Sequence, residues 1–121
     1  MITLSSTMRY YFWRGVVDMR KGIDGLSGLV RNEMDLNPLD GGVYIFLNRR
    51  RNQVKLLIWD RSGFVLYWKR LEQGVFEYPK PGEGGKYNVS WSGLVLMLEG
   101  IRVSETKQKK RFSYPQAVER M

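Results

Sequence analysis

The sequence predicts one small α+β domain, an antiparallel sheet of about five strands with two helices, ending in a basic C-terminal tail. Short runs rich in aromatic and β-branched residues alternate with turn residues, two segments carry apolar residues at helical spacing, and the patterning stops after Val103. At 121 residues with 43% hydrophobic content, the chain has room for a single core. Residues 1–103 are therefore expected to form the domain and residues 104–121 a disordered tail.

Residues 9–17, Arg-Tyr-Tyr-Phe-Trp-Arg-Gly-Val-Val, read as the first strand. A helix follows over residues 24–35, with Leu26, Leu29, Val30 and Met34 on one face, Asp24 as its cap and Pro38 closing the segment beyond. Gly25 and Gly28 lower its propensity by about 1 kcal/mol each relative to Ala, tolerable if they let the helix lie close on the sheet. Asp40-Gly41-Gly42 marks a turn into the strand at residues 43–47, and a polar loop with Arg49, Arg50 and Arg51 leads to the strand that begins at Val54. Past Gly74, short strands are expected at residues 75–78 and 87–89, separated by a loop rich in Pro and Gly. Ser90 or Ser92 then caps a second helix through Leu98, with Trp91, Leu94, Val95 and Leu98 as its apolar face and Gly100 as its stop.

Residues 54–72 form the most informative segment, two apolar runs joined at Asp60-Arg61-Ser62-Gly63. Asp at the first turn position and Gly where φ > 0 is needed predict a three-residue loop with a Gly bulge. In that register Ile58 faces Leu66 and Leu56 faces Trp68 on a core side, while Lys55, Trp59, Tyr67 and Lys69 share the other side, with Lys55 directly opposite Lys69. Two like charges so placed cost a few tenths of a kcal/mol without an anion nearby. Either the lysines meet phosphate, or they are solvated edges whose stems cover aromatics.

The formal net charge is +8, which favours polyanionic partners, DNA foremost. Residues 43–71 hold seven Lys/Arg against Asp60 alone, whereas residues 23–42 hold Arg31 against Asp24, Glu33, Asp35 and Asp40. Arginine forks suit phosphate and the guanine edge, although Arg49 to Arg51 also fit a solvated turn that blocks edge pairing. The candidate nucleic-acid surface comprises Arg20, Lys21, Arg49, Arg50, Arg51, Lys55, Trp59, Arg61, Tyr67, Lys69 and Arg70. The run Lys107-Gln108-Lys109-Lys110-Arg111 in the tail is available for loose backbone contact.

Catalysis is not expected. The chain has no Cys and no His, which removes the usual zinc ligands, the thiol nucleophile and His-based acid–base chemistry. Asp18, Asp60 and Glu72 are the carboxylates that tempt a metal assignment, but Asp60 is accounted for by its turn and Glu72 by neighbouring cations. Glu105-Thr106-Lys107 and Tyr114 lie in the tail without a scaffold, and Gly82-Glu83-Gly84-Gly85 lacks the Lys-Ser/Thr of a phosphate loop. No cofactor or metal is expected, nor a membrane span or signal peptide, and the cytoplasm is the expected compartment.

Three motifs carry a resemblance: Asp18-Met19-Arg20-Lys21-Gly22; Pro38-Leu39-Asp40-Gly41 followed by the Phe46 strand and Arg49-Arg50-Arg51; and Lys55-Leu56-Leu57-x-Trp59-Asp60-x-x-Gly63-Phe64-x-Leu66-x-x-Lys69-Arg70-Leu71-Glu72-x-Gly74-x-Phe76. In this order, over roughly residues 8–101, the chain resembles the accessory protein of the second reading frame of bacterial IS-sixty-six-type insertion sequences, labelled TnpB, which is not the RNA-guided nuclease of that label. The resemblance implies a non-catalytic transposition accessory factor whose partner, a separate transposase of the same element, carries the catalytic acids. It supplies no catalytic residues. Two modes of action are open: DNA binding through the basic-aromatic face, or docking of that face on an acidic region of the transposase.

Overall fold

The computed structural model describes residues 3–99, in which β1 (Tyr10–Val16), α1 (Ile23–Asn32), β2 (Val43–Leu47), β3 (Gln53–Asp60), β4 (Gly63–Arg70), β5 (Asn88–Val89) and α2 (Trp91–Glu99) follow one another. The strands form one sheet in the order β4-β3-β2-β1-β5. Three of its pairings are antiparallel, as expected for an α+β domain, but β1 and β2 run parallel. Parallel neighbours need a long crossover, and the segment carrying α1 is that connection. Residues 104–121, with their basic run, lie outside the described residues.

The pleat sorts alternate residues to two cores. Tyr10, Phe12, Val43, Ile45, Val54, Leu56 and Ile58 pack with Leu94 and Met97 of α2, while Tyr11, Tyr44, Phe46 and Leu57 pack with Leu26 and Val30 of α1. One helix thus covers each face, and β2 is buried along its whole length.

The helices deviate from expectation in their ends. Gly22 rather than Asp24 is the N-cap of α1, and Asp24 stands in the first turn, where its charge favours the helix dipole. Nothing crowds Gly28 except its own Asn32 at 4.0 Å, so this glycine does not serve close packing on the sheet. For α2 the cap is Ser90, whose hydroxyl accepts the Gly93 N–H at 3.0 Å. Residues 75–78 do not form the expected strand. Instead Phe76 is buried in the α2-side core and its N–H donates to the Arg51 carbonyl at 2.6 Å, a loop contact rather than a ladder bond.

The hairpin register also differs. Asp60 pairs with Gly63, so the loop is two residues, and the positive φ of +56° falls on Arg61, not on Gly63. Every pair below slides by one: Trp59 faces Phe64, Leu57 faces Leu66, Lys55 faces Trp68 and Val54 faces Lys69. Both faces of β3 are buried, so hydrophobic alternation did not choose between the registers, and only the turn did.

Candidate nucleic-acid interface

The slide by one residue separates the two lysines that the sequence placed together. Lys55 points to the α1 side with Phe46 and Trp68, whereas Lys69 points to the α2 side with Val54 and Tyr67. Lys55 is 3% exposed, and its Nζ donates to the carbonyls of Met19 at 2.7 Å and Lys21 at 2.8 Å. The third side of the ammonium faces the Trp68 ring, 4.0 Å from the centroid. Desolvation holds the Lys55 pKa below the ordinary lysine value, with the nearby Asp18 charge opposing it. Lys55 is therefore a structural clamp with its charge spent inside the protein. Lys69 is exposed but tethered, its Nζ donating at 3.0 Å to the carbonyl of Leu98 in α2.

The carbonyls that hold Lys55 are presented by the loop leaving β1. Asp18 turns that loop: its carboxylate accepts the backbone N–H of Arg20 at 2.9 Å and pairs with the Arg20 guanidinium at 2.7 Å. Those bonds draw the Asp18 pKa down to about 2. Its carbonyl also accepts the Lys21 N–H at 3.0 Å. The Arg20 and Lys21 side chains are left exposed on the outside of the loop.

Arg49 to Arg51 form the turn between β2 and β3, and Asn48 builds it. The Asn48 Oδ1 accepts the N–H groups of Asn52 at 3.0 Å and Gln53 at 2.9 Å. Arg49 and Arg50 project from the tip, while Arg51, at φ +58°, lays its guanidinium 5.3 Å from the Tyr78 ring.

Register places these segments at one end of the sheet. The row Val16–Leu47–Val54–Lys69 crosses four strands there, the β1–α1 loop and the β2–β3 turn extend beyond it, and Gln53 pairs with Arg70 at its margin. Arg20, Lys21, Arg49, Arg50, Arg51, Lys69 and Arg70 are thus brought to the same end. Trp59 and Arg61 are not: they belong to the opposite end, where Trp59 packs edge-on against Phe64 and Arg61 lies 3.9 Å from Asp60. Arg9 pairs with Asp40 at that far end as well. Tyr67 sits on the α2 side, half-buried against its core. The basic-aromatic face expected from Lys55, Trp59, Tyr67 and Lys69 is therefore divided between the two sides of the sheet.

The residue that sequence reasoning missed is Trp68, assigned to the core side but 60% exposed on the α1 side of β4. Its Nε1–H donates to Gln53 Oε1 at 2.8 Å. The signal was the apposition of Lys55 and Lys69 itself. A cost with no compensation argued for the neighbouring register, in which Lys55 gains an aromatic partner.

Asp18 and Glu72 each pair with an arginine two residues away, and Asp60 lies at the other end of the sheet. Among the described residues no group of three acids, His or Cys is gathered to hold a metal, and no helix is long and apolar enough to cross a membrane.

Comparison with known proteins gives no match to a solved structure. Two curated relatives are both from Sinorhizobium fredii (strain NBRC 101917 / NGR234) and both described as uncharacterized. Protein y4hO is 35% identical over 101 residues, covering 84% of this chain and 87% of that one. Protein y4jC is 32% identical over 93 residues, covering 77% and 79%. The family model described as IS66 Orf2 like protein matches residues 8–108, a span that takes in the β1–α1 loop, the arginine turn and the whole hairpin, and the chain belongs to that insertion-sequence family.

Proposed function

We propose that the protein is a non-catalytic accessory factor of insertion-sequence transposition that binds DNA in the cytoplasm through the basic end of its sheet and assists a separate transposase. One observation carries this reading: three segments distant in sequence deliver seven cations to the same end, where Asp18 and Glu72 pair with only Arg20 and Arg70, while at the other end Arg9 and Arg61 are matched one to one by Asp40 and Asp60. Folding a chain so that like charges gather is unfavourable unless an anion is met there, and a DNA backbone is the anion that rewards a row of cations. The family supplies the biological setting, an element whose movement requires handling of its DNA.

The test is duplex binding across a salt series. Micromolar or tighter binding at low salt is expected, with log affinity falling steeply against log salt, each displaced counterion adding about 0.9 to the slope. A second reading is favoured by the position of Trp68 on the edge strand β4, where it could anchor an acidic segment of the transposase. Weak or salt-insensitive DNA binding, with transposase captured from a nuclease-treated lysate, would establish that reading instead.

A further inference from the structure

Trp68 is held as a surface plate rather than buried as a core side chain. Its indole N–H is fixed by Gln53 and one ring face is occupied by the Lys55 ammonium, yet 60% of the residue is exposed. The exposure therefore falls on the opposite face and the outer edge of the ring. Covering Lys55 requires only an apolar side chain, whereas a flat ring pinned at two points and open on one side is organised to receive another flat ring.

Beside the ring, Gln53, Trp68, Arg70 and Glu72 line a concavity of about 230 Å³. Arg70 and Glu72 pair across it at 3.1 Å. A carboxylate in the lining disfavours a phosphate at that spot, but an amide and a carboxylate suit the hydrogen-bonding edge of a base. Phosphate-seeking groups lie outside it: Arg20 and Lys21 are on the loop that grips Lys55 from behind, and Arg49 and Arg50 are on the turn preceding Gln53.

We infer that Trp68 is a stacking platform for an unpaired nucleobase, so that the protein prefers DNA with single-stranded or unpaired nucleotides over uninterrupted duplex. The inference rests on the DNA-binding reading above and narrows its ligand. A base inside a duplex is already stacked on both faces and cannot reach a protein ring, whereas an unpaired one can.

The experiment compares the full chain and its variants on a blunt duplex and on the same duplex with an unpaired oligothymidine tail. Wild type should bind the tailed DNA more tightly, and Trp68→Ala should weaken that binding by roughly 5- to 150-fold, the range for loss of one stacked base, while duplex affinity stays within about twofold. Trp68→Phe should recover most of the loss and Trp68→Leu should not, although Leu still covers Lys55; circular dichroism and urea curves establish that each variant is folded. Equal affinity of wild type for both DNAs, equal loss on both in Trp68→Ala, or full recovery by Leu overturns the platform and leaves DNA binding standing. Failure of wild type to bind either DNA overturns both readings. Normal binding of the tailed DNA by Trp68→Ala with loss of transposase capture makes Trp68 a protein anchor and also overturns the platform.

Discussion

The Lys55 ammonium sits 4.0 Å from the centroid of the Trp68 ring, and its hydrogen bonds go to the carbonyls of Met19 and Lys21. A lysine read from sequence as a phosphate contact is instead what fastens the β1–α1 loop to the sheet. Lys55→Met should therefore lower stability by about 3 kcal/mol, because two carbonyls lose a charged donor in a dry site. Lys69→Ala, exposed and bound to one helix-end carbonyl, should cost about 1 kcal/mol or less. Urea unfolding of the two single variants checks this. The gain from relieving Lys–Lys repulsion, expected from the sequence register, should be absent in the double variant.

Asp18 reports on the same loop. Its carboxyl titrates at about 2 against an ordinary 3.8, chiefly because the Arg20 side chain donates to it. A carboxylate with a depressed folded pKa contributes its full share above the ordinary value and loses it as pH falls through the folded one. The loop should hence loosen between about pH 4 and pH 2, with little change in global stability since the pair is exposed. Carboxyl-carbon chemical shifts of Asp18 should follow that titration, and Arg20→Gln should return the midpoint towards 3.8.

Two glycines should respond in opposite directions to the same substitution. Gly28→Ala in α1 meets nothing nearer than the Asn32 side chain at 4.0 Å and should raise stability by about 0.5–1 kcal/mol through helix propensity. A Cβ at Gly42 would come within 2.6 Å of the Tyr11 ring and 3.0 Å of the Asp40 carboxylate. That carboxylate already accepts the Gly42 N–H and the Tyr44 hydroxyl. Gly42→Ala should cost about 2 kcal/mol, measurable as a drop in melting temperature.

Element identity was legible in the sequence because strand and helix periods differ, and Ser90 or Ser92 announced α2 by position before an apolar run, the structure selecting Ser90. Pairing was less so. That β1 lies parallel to β2 depends on where the α1 crossover returns, and Phe76 occupies a strand-like segment that bonds a loop carbonyl instead of a ladder. The role of Lys55 was invisible for a further reason: its acceptors are backbone carbonyls, which leave no trace in residue identity. Trp68 followed from the register error, since one residue of slip exchanges the two faces of a strand. The arginine turn needed no register and was placed by Asn48 and the strands on either side.

Salt dependence of duplex binding by Arg49→Ala/Arg50→Ala, set beside Arg61→Ala, tests the central claim most directly. These arginines sit at opposite ends of the same sheet, and all three side chains are exposed. Binding through the basic end predicts that the double variant weakens affinity for every duplex sequence alike and reduces the log–log salt slope by up to about two units, whereas Arg61→Ala leaves both unchanged. An unaltered slope in the double variant, or an equal loss in Arg61→Ala, would contradict it.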